Sequence, residues 1–185
     1  MDAPRIISWL WILFFVVWLI SARSAKRAVA RHGRIWIHRV VVFFLVAYLI
    51  SRSGSGSSLS QLRVPATPMN GAIGIGCTAL GIAFAFWARF YLGRNWGMPM
   101  SVQENAELVT TGPYAYVRNP IYSGMLLAMF GTAIVAGLSW LSLFAVSAAY
   151  FIYSARREEM LLIEQFPNTF PGYKARTKML VPFVF

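Results

Sequence analysis

The sequence predicts an all-α, polytopic membrane protein with about five transmembrane helices and a cytosolic C-terminal helical segment, and three observations carry that prediction. Of 185 residues, 58% are hydrophobic and only 12% charged, too apolar for a water-soluble domain of ordinary composition. The apolar residues gather in five stretches near the length that a hydrocarbon core about 30 Å thick requires. Lys and Arg crowd the segments on one side of those stretches, as cytoplasmic segments of membrane proteins do.

The first stretch, Ile6 to Ile20, follows a single basic residue, Arg5, and runs into a cluster of arginines and lysines. A signal peptide has the opposite charge order and a small-residue cleavage site before its mature chain, so a retained helix is expected here. The remaining stretches are Ile35 to Ile50, Gly71 to Leu92, Ile121 to Ala136 and Trp140 to Tyr153, the last two joined by Gly137, Leu138 and Ser139. At about 1.5 Å per residue the fourth covers roughly 24 Å, so this hairpin crosses with little to spare.

Between the stretches, Ser21 to Arg39, Arg89 to Pro120 and Ser154 to Phe185 hold six, three and five basic residues, fourteen against three for the N-terminus and Ser51 to Met69. The expected orientation therefore puts the N-terminus outside and the C-terminus in the cytosol, in a cell inner membrane or its equivalent. The formal net charge of +11 is explained by this asymmetry and by anionic headgroups. No separate basic domain points to nucleic acid. Cys77 is the sole cysteine, which excludes a disulfide framework and a thiolate metal cluster.

Ser51 to Ser58, rich in Ser and Gly, reads as a flexible outer connector with no chemistry. The third stretch carries Gly71, Gly74, Gly76 and Gly81, a pattern that lets membrane helices approach closely. Five of the six acids, Glu104, Glu107, Glu158, Glu159 and Glu164, fall in the two segments flanking the last hairpin. Chemistry is expected there. No internal repeat is visible, and residues 1–185 read as one domain.

Two motifs stand at that end. Thr111-Gly112-Pro113-Tyr114-Ala115-Tyr116-Val117-Arg118-Asn119-Pro120-Ile121-Tyr122-Ser123-Gly124 opens the fourth span. Gly112-Pro113 marks a turn, Asn119 suits an N-cap and Pro120 the first helical position. Such a helix start also favours an anion, through its free N–H groups and dipole. Arg156-Arg157-Glu158-Glu159-Met160 emerges from the fifth span; it reads either as a solvated face with local ion pairs or as carboxylates that attract a cationic ligand.

The Gly-Pro-Tyr, Arg-x-Pro-x-Tyr-x-Gly and Glu-Glu elements, followed by Tyr173-Lys174-Ala175-Arg176 and Pro182-Phe183, resemble the isoprenylcysteine carboxyl methyltransferase family and the related phospholipid methyltransferases. The resemblance covers roughly Arg94 to Phe185. It implies three N-terminal spans in 1–92 and an S-adenosylmethionine-binding part in 93–185. Carried over by position, Gly112, Pro113, Tyr114, Arg118, Asn119, Pro120, Tyr122, Gly124, Glu158 and Glu159 line or shape the cofactor site, while Tyr173 and Arg176 lie near the substrate head group. The sequence departs from the pattern at Asn119, where many relatives have histidine, and at Phe166 to Phe170.

The resemblance implies methyl transfer to a lipophilic, membrane-dissolved acceptor, with no metal and no obligate protein partner. Arg176 is expected to orient an acidic nucleophile, as a bidentate guanidinium can. With an amine acceptor, Glu158 or Glu159 becomes a candidate base. An opening toward lipid is expected near the third and fourth spans. A sterol-type, NADPH-dependent reductase and a non-enzymatic scaffold or transporter stand as alternatives. The scaffold reading leaves Arg118, Glu158 and Glu159 as interfacial charges only.

Overall fold

The computed structural model describes residues 2–22, 28–31, 67–93, 101–103, 107–137 and 139–184. The second predicted span, the Ser51 to Ser58 connector and Glu104 lie outside these residues. Five α-helices make up the described chain: α1 (Ala3–Ala22), α2 (Pro68–Leu92), α3 (Pro120–Ala136), α4 (Ser139–Gln165) and α5 (Phe170–Arg176).

To the predicted helices the structure adds a two-stranded antiparallel ribbon, β1 (Ala28–Arg31) and β2 (Ser101–Gln103), with Ala28 opposite Gln103 and Arg31 opposite Ser101. The all-α class holds, with this one short ladder beside the helices. The pairing joins the segment after α1 to the segment after α2, which the distribution of basic residues had placed on one side.

Helices α1 and α2 are long and apolar enough to cross a membrane. At about 1.5 Å per residue, the twenty residues of α1 reach roughly 30 Å. The helix turns Trp9, Leu13, Val16, Leu19 and Ile20 outward and buries Phe14, whose ring stacks on Phe86 of α2 at 5.7 Å. Helix α2 begins where Thr67 Oγ1 accepts the Asn70 N–H at 3.2 Å, with Pro68 at the first position. Its end meets the end of α1 through buried Arg89, which donates to the carbonyls of Gly93 and Ser21.

Glycine decides how α2 meets α3. A β-carbon on Gly81 would lie 2.5 Å from the Gly124 carbonyl oxygen, and one on Gly131 would lie 2.6 Å from that of Gly74. The two backbones therefore touch along this seam, as the glycine pattern predicts. Across the seam, Trp11 Nε1 on α1 donates to Thr132 Oγ1 on α3 at 3.0 Å.

Helix α3, of 17 residues, is a shorter apolar element than α1 and α2. It ends at Gly137 with φ +101°, a conformation that side chains disfavour, and the chain reverses into α4. The fifth predicted span ends at Tyr153, but α4 continues to Gln165. Arg156 to Met160 therefore lies on the same continuous helix as the fifth predicted span. These are strong helix formers, and nothing before Pro167 interrupts them.

Candidate functional site

Three segments distant in sequence meet at one end of the bundle: the turn before α3, the far part of α4, and α5 with the chain after it. The turn is a 3₁₀ helix, Gly112–Ala115. Gly112 has φ +60°, and a β-carbon there would lie 2.7 Å from the Tyr91 ring. Glycine is needed on both counts. Buried Pro113 and Tyr114 follow. The Tyr114 hydroxyl reaches the Ala88 carbonyl at 3.5 Å.

Val117 to Asn119 then runs alongside the C-terminal segment. The Arg118 N–H donates to the Lys178 carbonyl at 2.8 Å and the Asn119 N–H to that of Met179 at 3.1 Å. Asn119 does occupy the N-cap position with Pro120 at the first turn, but its side chain makes no capping bond. Its amide donates instead to the Met179 carbonyl at 3.2 Å, and Ser123 Oγ donates to that of Leu180 at 2.5 Å. The start of α3 is therefore held by the C-terminal chain rather than by its own cap.

The ion pairs explain why. Arg118 Nε donates to Glu159 Oε1 at 2.7 Å, both side chains being under a tenth exposed. Arg118 Nη1 donates to the carbonyls of Lys174, at 3.2 Å, and Thr177. The other oxygen of Glu159 meets Lys174 Nζ at 2.8 Å. One buried carboxylate thus binds two cations and ties the α3 start, α4 and α5 together. Breaking such a buried pair from one side costs about 3–5 kcal/mol. Glu159 is thereby a structural anchor.

Successive residues on a helix point about 100° apart, so Glu158 faces α3. There it accepts the Tyr122 hydroxyl at 2.6 Å. The Tyr122 ring stacks on Phe151 of α4, with centroids 4.7 Å apart and planes 7° from parallel. Aromatic pairs of this kind add about 0.5–1.5 kcal/mol to area burial. On the same α4 stripe, Ser154 is fully buried and its hydroxyl has no hydrogen-bond partner among the described residues. Other helical hydroxyls donate four residues back, as Ser147 does to Leu143 at 2.7 Å. An unmade buried hydrogen bond costs about 1–3 kcal/mol.

Tyr173 is buried and donates its hydroxyl to the Tyr114 carbonyl at 2.7 Å. That contact braces the turn. Burial pushes its phenol up to about 12, against the opposing influence of Arg118 and Arg176. Burial, reinforced by Tyr173 and Glu158, raises the Tyr114 phenol as well. Both are neutral hydrogen-bond donors near pH 7. Arg176 is exposed, its guanidinium 5.8 Å from the Tyr173 ring centroid. Gly124 and Pro120 are buried, Gly124 against Gly81 and Ala85 of α2, where it shapes helix packing.

Of the residues expected at the site, Tyr114, Arg118, Asn119, Tyr122, Glu158, Glu159 and Tyr173 are brought into one connected network. Lys174, Phe151, Ser154 and Thr177 were not foreseen. Phe151 and Ser154 could have been found from their spacing to Glu158, seven and four residues back on one helical face.

The chain matches the family model described as phospholipid methyltransferase over residues 69–169. It is 30% identical to the cobalt-zinc-cadmium resistance protein CzcN of Cupriavidus metallidurans, over 87% of this chain and 68% of that one. Identity is 29% to the nickel-cobalt-cadmium resistance protein NccN of Alcaligenes xylosoxydans xylosoxydans, over 88% and 71%. It is 24% to the protein-S-isoprenylcysteine O-methyltransferase of Schizosaccharomyces pombe, over 89% and 74%.

Proposed function

Because the chain belongs to the phospholipid methyltransferase family, we propose that this membrane protein transfers the methyl group of S-adenosylmethionine to a lipophilic acceptor dissolved in the bilayer. The observation that carries this reading is the convergence of the α3 start and the α4 glutamates. Tyr122 reaches Glu158 and Arg118 reaches Glu159 within one end of the bundle. Had these segments lain at opposite ends, no single small molecule could touch both.

The residues fit such a cofactor. Glu158 offers a carboxylate to its ammonium, and the start of α3 offers a positive dipole end to its carboxylate. The Tyr122–Phe151 stack gives an apolar wall, and Glu159, held by Arg118 and Lys174, fixes the frame. When bound, S-adenosylmethionine supplies a methyl group on a sulfonium whose positive charge disappears as the methyl leaves to a nucleophile. The chain's own task is then to orient and to exclude water, and positioning of this kind contributes about 7–11 kcal/mol in favourable systems.

In this reading Arg176 holds and orients an acidic acceptor, its exposed guanidinium open to a carboxylate through two parallel hydrogen bonds. The name of the Schizosaccharomyces pombe relative supports O-methylation of an isoprenylcysteine-like carboxylate. The family description supports a second reading, N-methylation of a phospholipid amine. A carboxylate is ionised well below neutrality and needs no base, whereas an ammonium must first lose a proton, with Glu158 the nearer candidate base. The acceptor comes sideways from the lipid, through an opening near α2 and α3. The basic asymmetry supports a site at the cytosolic face of an inner or equivalent membrane.

Titration of purified protein with S-adenosylhomocysteine and with NADPH tests the assignment. Binding of the first alone is expected; binding of NADPH alone would overturn it in favour of a reductase. Incubation with membrane lipids and labelled cofactor, read by mass spectrometry, is expected to give lipids heavier by one methyl group. The rate then separates the two acceptors: it is flat through neutrality for a carboxylate and rises with pH for an amine.

A further inference from the structure

Phe151, Ser154 and Glu158 share the stripe of α4 that faces Tyr122. Ser154 lies four residues before Glu158, about 6 Å along the helix, on the side of the hairpin turn. It is fully buried, yet among the described residues its hydroxyl takes no partner, not even the backbone carbonyl that Ser147, Ser123 and Thr132 each use four residues back. An orphaned hydroxyl in the wall of a binding site marks where a polar ligand atom belongs.

We propose that Ser154 is a binding residue that hydrogen-bonds the nucleoside portion of the cofactor. The inference rests on the methyl-transfer reading. With the ligand ammonium at Glu158, two methylenes and the sulfur separate its amino-acid carbon from the ribosyl group. The nucleoside therefore comes to rest about one helical turn away, against the aromatic wall of Tyr122 and Phe151 and within reach of the Ser154 hydroxyl. As donor and acceptor at once, that hydroxyl suits a ribose or a base edge.

The test is calorimetric titration of the full chain in detergent with two probes. One is S-adenosylhomocysteine; the other is 5′-methylthioadenosine, which keeps the nucleoside and lacks the amino-acid arm. Ser154→Ala is expected to weaken both by a common factor of about ten, while the unfolding midpoint without ligand stays or rises. Ser154→Cys, retaining a weak donor, is expected to fall between. Glu158→Gln should weaken S-adenosylhomocysteine alone.

Unchanged affinity for both probes in Ser154→Ala overturns the proposal. A loss confined to S-adenosylhomocysteine also overturns it, by moving the serine to the amino-acid end. A lowered unfolding midpoint does so too, by giving the hydroxyl a structural role. If the folded wild-type chain binds neither probe, the methyl-transfer reading itself has failed.

Discussion

Arg118 and Glu159, 41 residues apart, form a buried ion pair at 2.7 Å, and that pair closes the start of α3 onto the far part of α4. Because Lys174 takes the second carboxylate oxygen, the adjacent glutamates have different tasks. Glu159 holds the frame, and Glu158, turned toward Tyr122, is the one that the proposed function gives to the ligand.

Removal of either partner of the buried pair is therefore expected to unfold the site end rather than only to weaken binding. Glu159→Ala and Arg118→Ala should each destabilise the chain by about 3–5 kcal/mol, read as a lowered thermal midpoint in detergent. In a double-mutant cycle the Arg118→Ala, Glu159→Ala protein should lose much less than the sum. Additive losses would deny the coupling.

Glu158→Gln and Tyr122→Phe should lower stability by no more than about 1.5–3 kcal/mol, the worth of the charged hydrogen bond between them. Both should retain far-ultraviolet helicity. S-adenosylhomocysteine affinity should fall at least about tenfold in Glu158→Gln, since a charged hydrogen bond is worth about 1.5–3 kcal/mol. Equal binding in wild type and variant would remove Glu158 from the site.

Gly124→Val and Gly81→Val are expected to fail by a different route. Their side chains would enter backbone already at contact distance, forcing α2 and α3 apart. Overpacking costs typically about 1–3 kcal/mol. Lost activity in these variants should track lost stability, and a stable Gly124→Val protein with abolished ligand binding would return that glycine to the cofactor surface.

Alkaline stability should report the buried phenols. Tyr173 titrates near 10 when unfolded and is held up to about 12 by burial, so folding keeps its proton on. Its contribution is complete below pH 10 and is lost as pH rises through about 12, because the unfolded chain then binds fewer protons. In Tyr173→Phe this part of the pH dependence should vanish. At pH 7 the same variant should lose about 1 kcal/mol, the worth of its bond to the Tyr114 carbonyl.

Much of this architecture was legible before any fold was known. Apolar length and composition marked α1, α2 and the α3–α4 hairpin, because those properties are local and the lipid requirement is severe. Gly74 and Gly81 could be read as close-packing positions because a missing side chain has few other uses in a membrane helix, whereas Gly124, expected to line or shape the cofactor site, was found to pack on Gly81 only in the fold. Pro120 and Asn119 located the start of α3 within a residue, though the amide of Asn119 turned to Met179. A cap is only one of the partners that such a side chain can find.

What the sequence alone determined, then, is which segments are helical, which are apolar enough for a bilayer and which end collects the ionisable groups. Only the tertiary structure decided that Glu159 is bound by Arg118 and Lys174 while Glu158 meets Tyr122, that Tyr173 braces Tyr114, and that Ser154 is left without a partner among the described residues. The physical reason is range. Helix formation and burial in lipid depend on neighbours within a few turns, whereas an ion pair or a hydrogen bond between α3, α4 and α5 depends on where three rigid elements come to rest.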